Sequence, residues 1–446
     1  MYTSTIHIDN HNFGPRLGAA WELAKGTVIR AGYGLFYAKT SNSTYYATRV
    51  ENGVFQQTFN CNPTTCPILS FPNLIFTPPG GAPVAPFPGA LTPQITPFTP
   101  PSNTATARGQ SPAFSNPRVH EGEVSIEHQL PFRSSFSASY VFSRALRLPM
   151  FIDTNIAPTT TTKSYDVTDA NGATQSVLTM PFYTTRIDAT GPVLTGFSDV
   201  NSWYNSLVLT YRKRMERGVE FVFNYTLSKA TDGGQVPGQF GTFNGTDSPI
   251  DPYNRKLEYG ISDLNQTHRF TGNVIWVPSF TKKIANPAAR NVFDGFNFST
   301  IAIFTTGQPV TGTINGFPSG GPAGGLTGGV VNNSGTALSS SRFPGLPRNS
   351  FTGPGLENID FRVSREFRIG ERAKFSFHGE AFNLFNHTNF FSVNSTQYNF
   401  TTSGSGVCSG HTNNCVVLNP AFLTPTVSNN NLYGARQLQI VGKFIF

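Results

Sequence analysis

The sequence predicts an all-β protein: a transmembrane antiparallel up-and-down β-barrel, with about eleven strands present. Three observations carry this prediction. Period-2 alternation of apolar and polar residues recurs about eleven times, in segments of about ten residues that cross the hydrocarbon layer when tilted about 45°. Connections between segments alternate strictly between short and long, as in barrels with short periplasmic turns and long extracellular loops. The chain also ends on Phe446, in a stripe with Leu438, Ile440, Gly442 and Phe444. A soluble protein seldom ends on an exposed Phe in an apolar stripe, whereas a strand against lipid does so without penalty.

Composition agrees. Only 13% of the 446 residues are charged, against about 25% in ordinary globular domains. Hydrophobic residues are 38%, yet there are 40 Phe and 15 Tyr. Such a chain suits a thin lipid-facing band better than a soluble core. The 43 Gly and 33 Pro predict many turns and long loops. The formal charge is +8, but no basic block carries interleaved aromatics, so nucleic acid is not an expected partner. No run approaches the roughly 18 apolar residues of a spanning helix. Met1-Tyr2-Thr3-Ser4 leads into polar sequence with no signal peptide. Because a barrel must be exported, Met1 is expected not to be the start of the complete protein.

In chain order, the first segment is 13–22 and the second Thr27 to Tyr37, with Ile29, Ala31, Tyr33, Leu35 and Tyr37 on one face. The Pro-crowded stretch 38–117 reads as loop, because Pro removes ladder donors; Tyr45 to Val50 is expected to pair briefly at most. Segments three and four, 119–129 and 134–144, flank the turn Leu130-Pro131-Phe132-Arg133, and a long loop runs to Ser202. Segments five and six, 203–212 and 218–228, flank the basic turn Lys213 to Arg217. In the sixth, Val219, Phe221, Phe223, Tyr225 and Leu227 face lipid, and Glu220, Val222, Asn224, Thr226 and Ser228 face the lumen. Segments seven (268–277) and eight (296–306) follow a third long loop. A Gly/Ser/Asn-rich loop, 307–356, precedes segments nine (357–367) and ten (372–385). A fifth long loop leads to the eleventh segment, Gly434 to Phe446.

The first and eleventh segments both descend toward the periplasm. A bacterial barrel has an even strand number, so the eleven read as the C-terminal half of a larger barrel, 22 strands in total being consistent. Gly434 to Phe446 is then an edge whose closing partner is a first strand outside this sequence.

The four cysteines form two close pairs, Cys61/Cys66 and Cys408/Cys415, in polar loop-like stretches. Local disulfides in an oxidising compartment are the preferred reading. His411 lies between Cys408 and Cys415, but three candidate ligands do not make a zinc site.

Asn12-Phe13-Gly14-Pro15-Arg16-Leu17-Gly18-Ala19-Ala20, followed by Val28-Ile29-Arg30-Ala31-Gly32-Tyr33-Gly34-Leu35-Phe36-Tyr37, resembles the mid-barrel signature of Oar-like TonB-dependent transporters of acidobacterial type. Glu380-Ala381-Phe382-Asn383-Leu384-Phe385-Asn386-His387-Thr388-Asn389-Phe390 is similar to that family's penultimate-strand motif, and Phe446 to the C-terminal aromatic read by the barrel-assembly machinery. The resemblance implies a carboxypeptidase-regulatory-like domain, a plug and a 22-stranded barrel. Of these, residues 1–446 supply only the C-terminal part of the barrel. TonB would be contacted only through the missing N-terminal part.

No catalytic, cofactor-binding or metal-ligating residue is predicted. There is no Gly-x-Ser-x-Gly elbow, His-Glu-x-x-His or P-loop. Gly32-Tyr33-Gly34 reads as packing relief beside aromatics. His120-Glu121-Gly122-Glu123 lacks a second zinc histidine. His378 and Glu380 share the lumen face and are expected to pair with neighbouring charges; Arg362, Lys374 and Lys443 read as lumen lining. Arg212-Lys213-Arg214 reads as a solvated turn. The chain is thus expected to be a non-enzymatic outer-membrane TonB-dependent receptor fragment that takes up or exports a bulky solute of unnamed class. A passive porin or structural barrel, and an isolated truncation unable to insert, remain the alternatives.

Overall fold

The computed structural model describes residues 9, 12–40, 42–50, 107–183, 185–188, 193–234, 249–316, 341–369, 373–427 and 433–446. Eleven strands hydrogen-bond in chain order, each antiparallel to the next. They are Arg16–Ala24, Thr27–Tyr37, Arg118–Leu130, Ser134–Asp153, Val193–Glu216, Val219–Asp232, His268–Trp276, Phe296–Thr305, Leu356–Ile369, Ala373–Phe382 and Gln437–Ile445. All five short connections therefore lie at one end of the sheet and all long ones at the other. The sheet is open, with the first and eleventh strands at its two edges. Two short pieces join off this path: Ala107–Gln110 runs parallel to the fifth strand, and Gly260–Ile261 pairs with the sixth.

Register makes the apolar face continuous. Tyr140 faces Leu207, Leu207 faces Leu227, Phe223 faces Gly272, and Gly272 faces Ala302. On the same face Ala302 meets Ile359, and the last strands place Phe375 against Phe444 and Ala381 against Leu438. One residue of slip in any strand would turn its whole apolar set inward, so the two-residue period pins the pairing. Aromatic rings run across several strands: Tyr211–Phe221–Phe223–Phe270–Phe304 at 4.9–6.0 Å between centroids. This face is not a buried core. Leu17 is 72% exposed and Leu438 and Ile440 are each 76% exposed, which identifies hydrocarbon rather than protein as the covering phase.

The short connections are built locally. In Glu216-Arg217-Gly218-Val219 both central residues have positive φ, +54° and +80°, the condition for a two-residue primed hairpin turn. The connection from 277 to 295 holds a helix, Pro287–Phe293. The Asn286 side chain accepts hydrogen bonds from the Ala288 and Ala289 N–H groups, and Pro287 needs no N–H partner there.

The long connections depart from expectation. Tyr45 to Val50 does not pair as strand: Asn42–Arg49 is α-helical. Thr44, Ala47 and Thr48 fall on one helical face and are buried, and Ala47 packs on Phe151 and Leu194. The fourth and fifth strands extend well beyond 134–144 and 203–212, rising together past the apolar band. Their upper parts bury Leu148, Met150, Ile152 and Val200. Stretches read as loop also supply a second sheet, in the order Ser341–Arg342, Thr313–Asn315, Thr396–Thr401, Asn414–Leu418, Thr162–Thr168, Thr174–Pro181. It joins three different long loops. Tyr165, Val167, Ile314, Phe343 and Val416 form its core. We call it the headpiece. The Cys61/Cys66 pair lies outside the described residues.

Candidate functional site

Three layers are relevant to solute passage: the polar face of the sheet, the headpiece, and the rim between them.

On the polar face, three basic residues pair with acidic residues of neighbouring strands. Arg30 and Glu127 are 3.0 Å apart. Lys374 reaches Glu366 at 3.0 Å. His378 and Glu380 are brought together as expected, and the group that joins them is Arg362: its guanidinium is 2.6 Å from His378 Nδ1 and 3.4 Å from Glu380. Ser376 Oγ lies 3.1 Å from the other ring nitrogen. Thr210 donates to Asn224, which donates to Thr271, at 3.0 and 3.4 Å. These pairs lie on the wall that faces the lumen. Lys443 shares this wall, opposite Ser376. By contrast His120 faces outward, its Nδ1 2.7 Å from the Tyr33 hydroxyl. With Tyr225 and His268, 2.8 Å apart, it belongs to a polar–aromatic ring at the headpiece end of the outward face.

The headpiece is fixed by covalent and ionic ties. Cys408 and Cys415 form a disulfide, with Cα atoms 6.0 Å apart and both residues fully buried. His411, within that loop, does not face the sulfurs. Its Nδ1 is 2.7 Å from Asp166 and its Nε2 is 2.9 Å from the Gly172 carbonyl. Asn413 donates to the same carboxylate at 2.9 Å. The Asn413 amide and the His411 ring hold Asp166 below the usual carboxylate range. The Asp166 hydrogen bond pushes His411 above the usual imidazole range. Burial pushes the Tyr165 phenol up, and burial together with Asp251 does the same for Tyr183.

A second set of ties roots the headpiece in the barrel rim. Arg348 is buried; it pairs with Asp232, at the top of the sixth strand, and donates to the Glu258 carbonyl at 2.9 Å. Arg342 meets the Glu258 carboxylate at 2.8 Å. Arg186 meets Asp153 at 2.7 Å, both nearly inaccessible. Tyr183 donates to Asp251 at 2.9 Å. Buried ion pairs of this kind fix geometry more than they add stability.

Between headpiece and rim, above the seventh to tenth strands, lies a cavity of about 520 Å³. Gln266, Thr305, Gln308, Asn349 and Phe391 contribute to its wall, and Asp263 is the one charged lining residue among those described. That carboxylate is engaged: the Asn349 amide donates to it at 2.5 Å and Arg348 lies 3.6 Å away. The lining thus offers neutral amides, hydroxyls and an apolar patch. Sequence reasoning did not find this cavity, whose walls come together from three stretches that read as loop, the Gly/Ser/Asn-rich one among them.

The sequence model of the outer membrane beta barrel domain matches residues 2–439. The chain belongs to this family. It is therefore an outer-membrane β-barrel protein, with its short turns in the periplasm and its headpiece outside. No curated protein gives a significant sequence match. Among solved structures, the outer-membrane transporter YddB from Escherichia coli is similar, with 11% identity and a TM-score of 0.41, over 88% of this chain and 38% of that one. FpvA from Pseudomonas aeruginosa, in a pyoverdine–iron complex, has 8% identity and a TM-score of 0.42, over 97% and 32%. The FrpB iron transporter from Neisseria meningitidis has 10% identity and a TM-score of 0.40, over 97% and 39%. The chain thus spans well under half the length of each.

Proposed function

We propose that this barrel is the membrane-spanning part of a TonB-dependent transporter of Oar-like type, moving a bulky solute between the medium and the periplasm. The observation that carries the reading is the rim cavity of about 520 Å³ beneath a headpiece tied to the strands by buried ion pairs. Such a site holds a solute at the mouth of the lumen, and the polar wall below it gives the solute a hydrated path. The motifs that resemble Oar-like transporters support the same assignment. In this reading a plug closes the lumen, TonB acts through that part of the protein, and the barrel does no chemistry of its own.

Liposome swelling tests the proposal against a passive porin. The full-length protein, reconstituted without TonB, is expected to admit no small sugar at a rate above empty vesicles. Swelling at the rate of an open pore overturns the proposal. A reading frame upstream of Met1 that encodes neither a plug nor further strands overturns it independently.

A further inference from the structure

The short turns carry a charge the rest of the molecule lacks. Residues 22–27, 129–134, 212–219, 277–296, 365–374 and 443–446 hold fourteen of the 32 basic residues and five of the 24 acidic ones. These segments, at the periplasmic end, therefore carry a net charge of +9, and the rest of the chain, at −1, brings the total to +8. A solvated turn has no need of this bias, and Arg30, Arg362 and Lys374 on the wall described above have acidic partners within the sheet.

Two clusters at this end set cations over aromatic rings. In the first, Phe132 is 58% exposed. The Lys213 ammonium lies 5.8 Å and the Arg217 guanidinium 5.1 Å from its ring centroid. Lys213 also donates to the Phe132 carbonyl at 2.7 Å, and its acidic neighbour is Glu216 at 3.7 Å. In the second, the Arg365 guanidinium lies 4.5 Å from the Phe367 centroid and 5.0 Å from that of Phe296, and donates to the Val292 carbonyl at 3.1 Å. Register places Lys213 and Arg365 on the outward face, against Phe221 and Phe296. These long side chains bury their stems on the rings and carry their charge to the membrane boundary.

The turn that presents Phe132 is itself unfavourable. Phe132 and Arg133 adopt φ of +59° and +52°, a left-handed pair for which Asn-Gly is the easy sequence. Strain of this kind is retained where the side chain so placed has a use.

We propose that the periplasmic rim is a binding surface for anionic phospholipid headgroups of the inner leaflet, with Phe132–Lys213–Arg217 and Phe296–Phe367–Arg365 as its two cradles. The ring lies at the glycerol level and the cations meet the phosphate. The inference rests on the outer-membrane orientation, not on any transported solute. It would bias how the barrel sits in an asymmetric membrane.

The test uses the full-length protein, purified from outer membranes in mild detergent. It is mixed with equal amounts of phosphatidylglycerol and phosphatidylethanolamine and examined by native mass spectrometry. Phosphatidylglycerol adducts are expected to dominate, and their excess to fall about fivefold for each cation removed in Lys213→Gln, Arg217→Gln and Arg365→Gln. Arg147→Gln, at the opposite end, is expected to leave the ratio unchanged. Equal retention of the two lipids by the unaltered protein overturns the proposal. So does a full excess in the triple variant while it still shows heat-modifiable migration. Displacement by millimolar inorganic phosphate would replace the lipid with a free anion. Failure of the orientation reads differently: protease added outside cells would then cut at the basic turns.

Discussion

At the scale of single residues, the strongest dependencies lie outside the membrane. Arg348 is 9% and Asp232 3% exposed at the side chain, so removing the guanidinium strands a buried carboxylate. Arg348→Ala is expected to destabilise the headpiece by about 3–5 kcal/mol. Limited proteolysis between residues 249 and 263 should rise steeply while the barrel keeps its heat-modifiable migration. The His411–Asp166 pair predicts a pH dependence. His411 titrates higher in the folded protein, so its contribution is complete below about pH 6.5 and is lost as pH rises through the raised value. Asp166 titrates lower when folded, so its contribution is present above about pH 3.9 and is lost as pH falls through the lowered value. Both act together between about pH 4 and 6.5. Hydrogen exchange in 162–168 and 414–418, corrected for intrinsic rates, should be slowest there, and Asp166→Asn should flatten the profile. A profile unchanged by Asp166→Asn would dismiss the pair as its source.

At the scale of elements, the hairpin turns and the headpiece respond to different insults. Gly218 has φ +80°, and a methyl group on it would run into the Val277 carbonyl. Gly218→Ala is expected to cost at least about 1–3 kcal/mol through backbone strain, read as a lower urea midpoint for the refolded barrel. The disulfide closes a loop with a sequence separation of 7. Chain-entropy reasoning then gives it about 2–3 kcal/mol. Replacing Cys408 and Cys415 by Ser should loosen Asn414–Leu418 without changing strand content by circular dichroism. Loss of the barrel signal would mean that headpiece and barrel fold as one unit.

At the scale of the whole molecule, the two faces of one sheet meet different solvents. Leu209 and Val208 are neighbours near the middle of the fifth strand, and only Leu209 lies on the outward stripe, between Ala138 and Tyr225. Leu209→Arg is expected to cost about 2–4 kcal/mol in a bilayer, and Val208→Arg much less. Equal costs in vesicle refolding would contradict the assignment of lipid to the stripe.

The second strand, Thr27–Tyr37, was readable to its end residues, because alternation against hydrocarbon is written into the chain whatever its neighbours are. The order of the eleven strands, the places of the short turns and the pairing of His378 and Glu380 with a neighbouring charge were readable too, although Lys213 to Glu216 and Arg368 to Ile369 continue strands rather than turn. The headpiece was not readable. Tyr165 lies between Ser164 and Asp166, and nothing local marks it as fully buried. Its strand is held by parallel pairing to Asn414–Leu418, far along the chain. The rim cavity, the Arg348 ties and the partner of His411 arise from the same kind of contact. By itself the sequence determined which face of each strand meets lipid, since that depends on a two-residue period. Only the tertiary structure decided what the long loops build, since their short strands gain stability from partners in other loops and carry little periodic signal of their own.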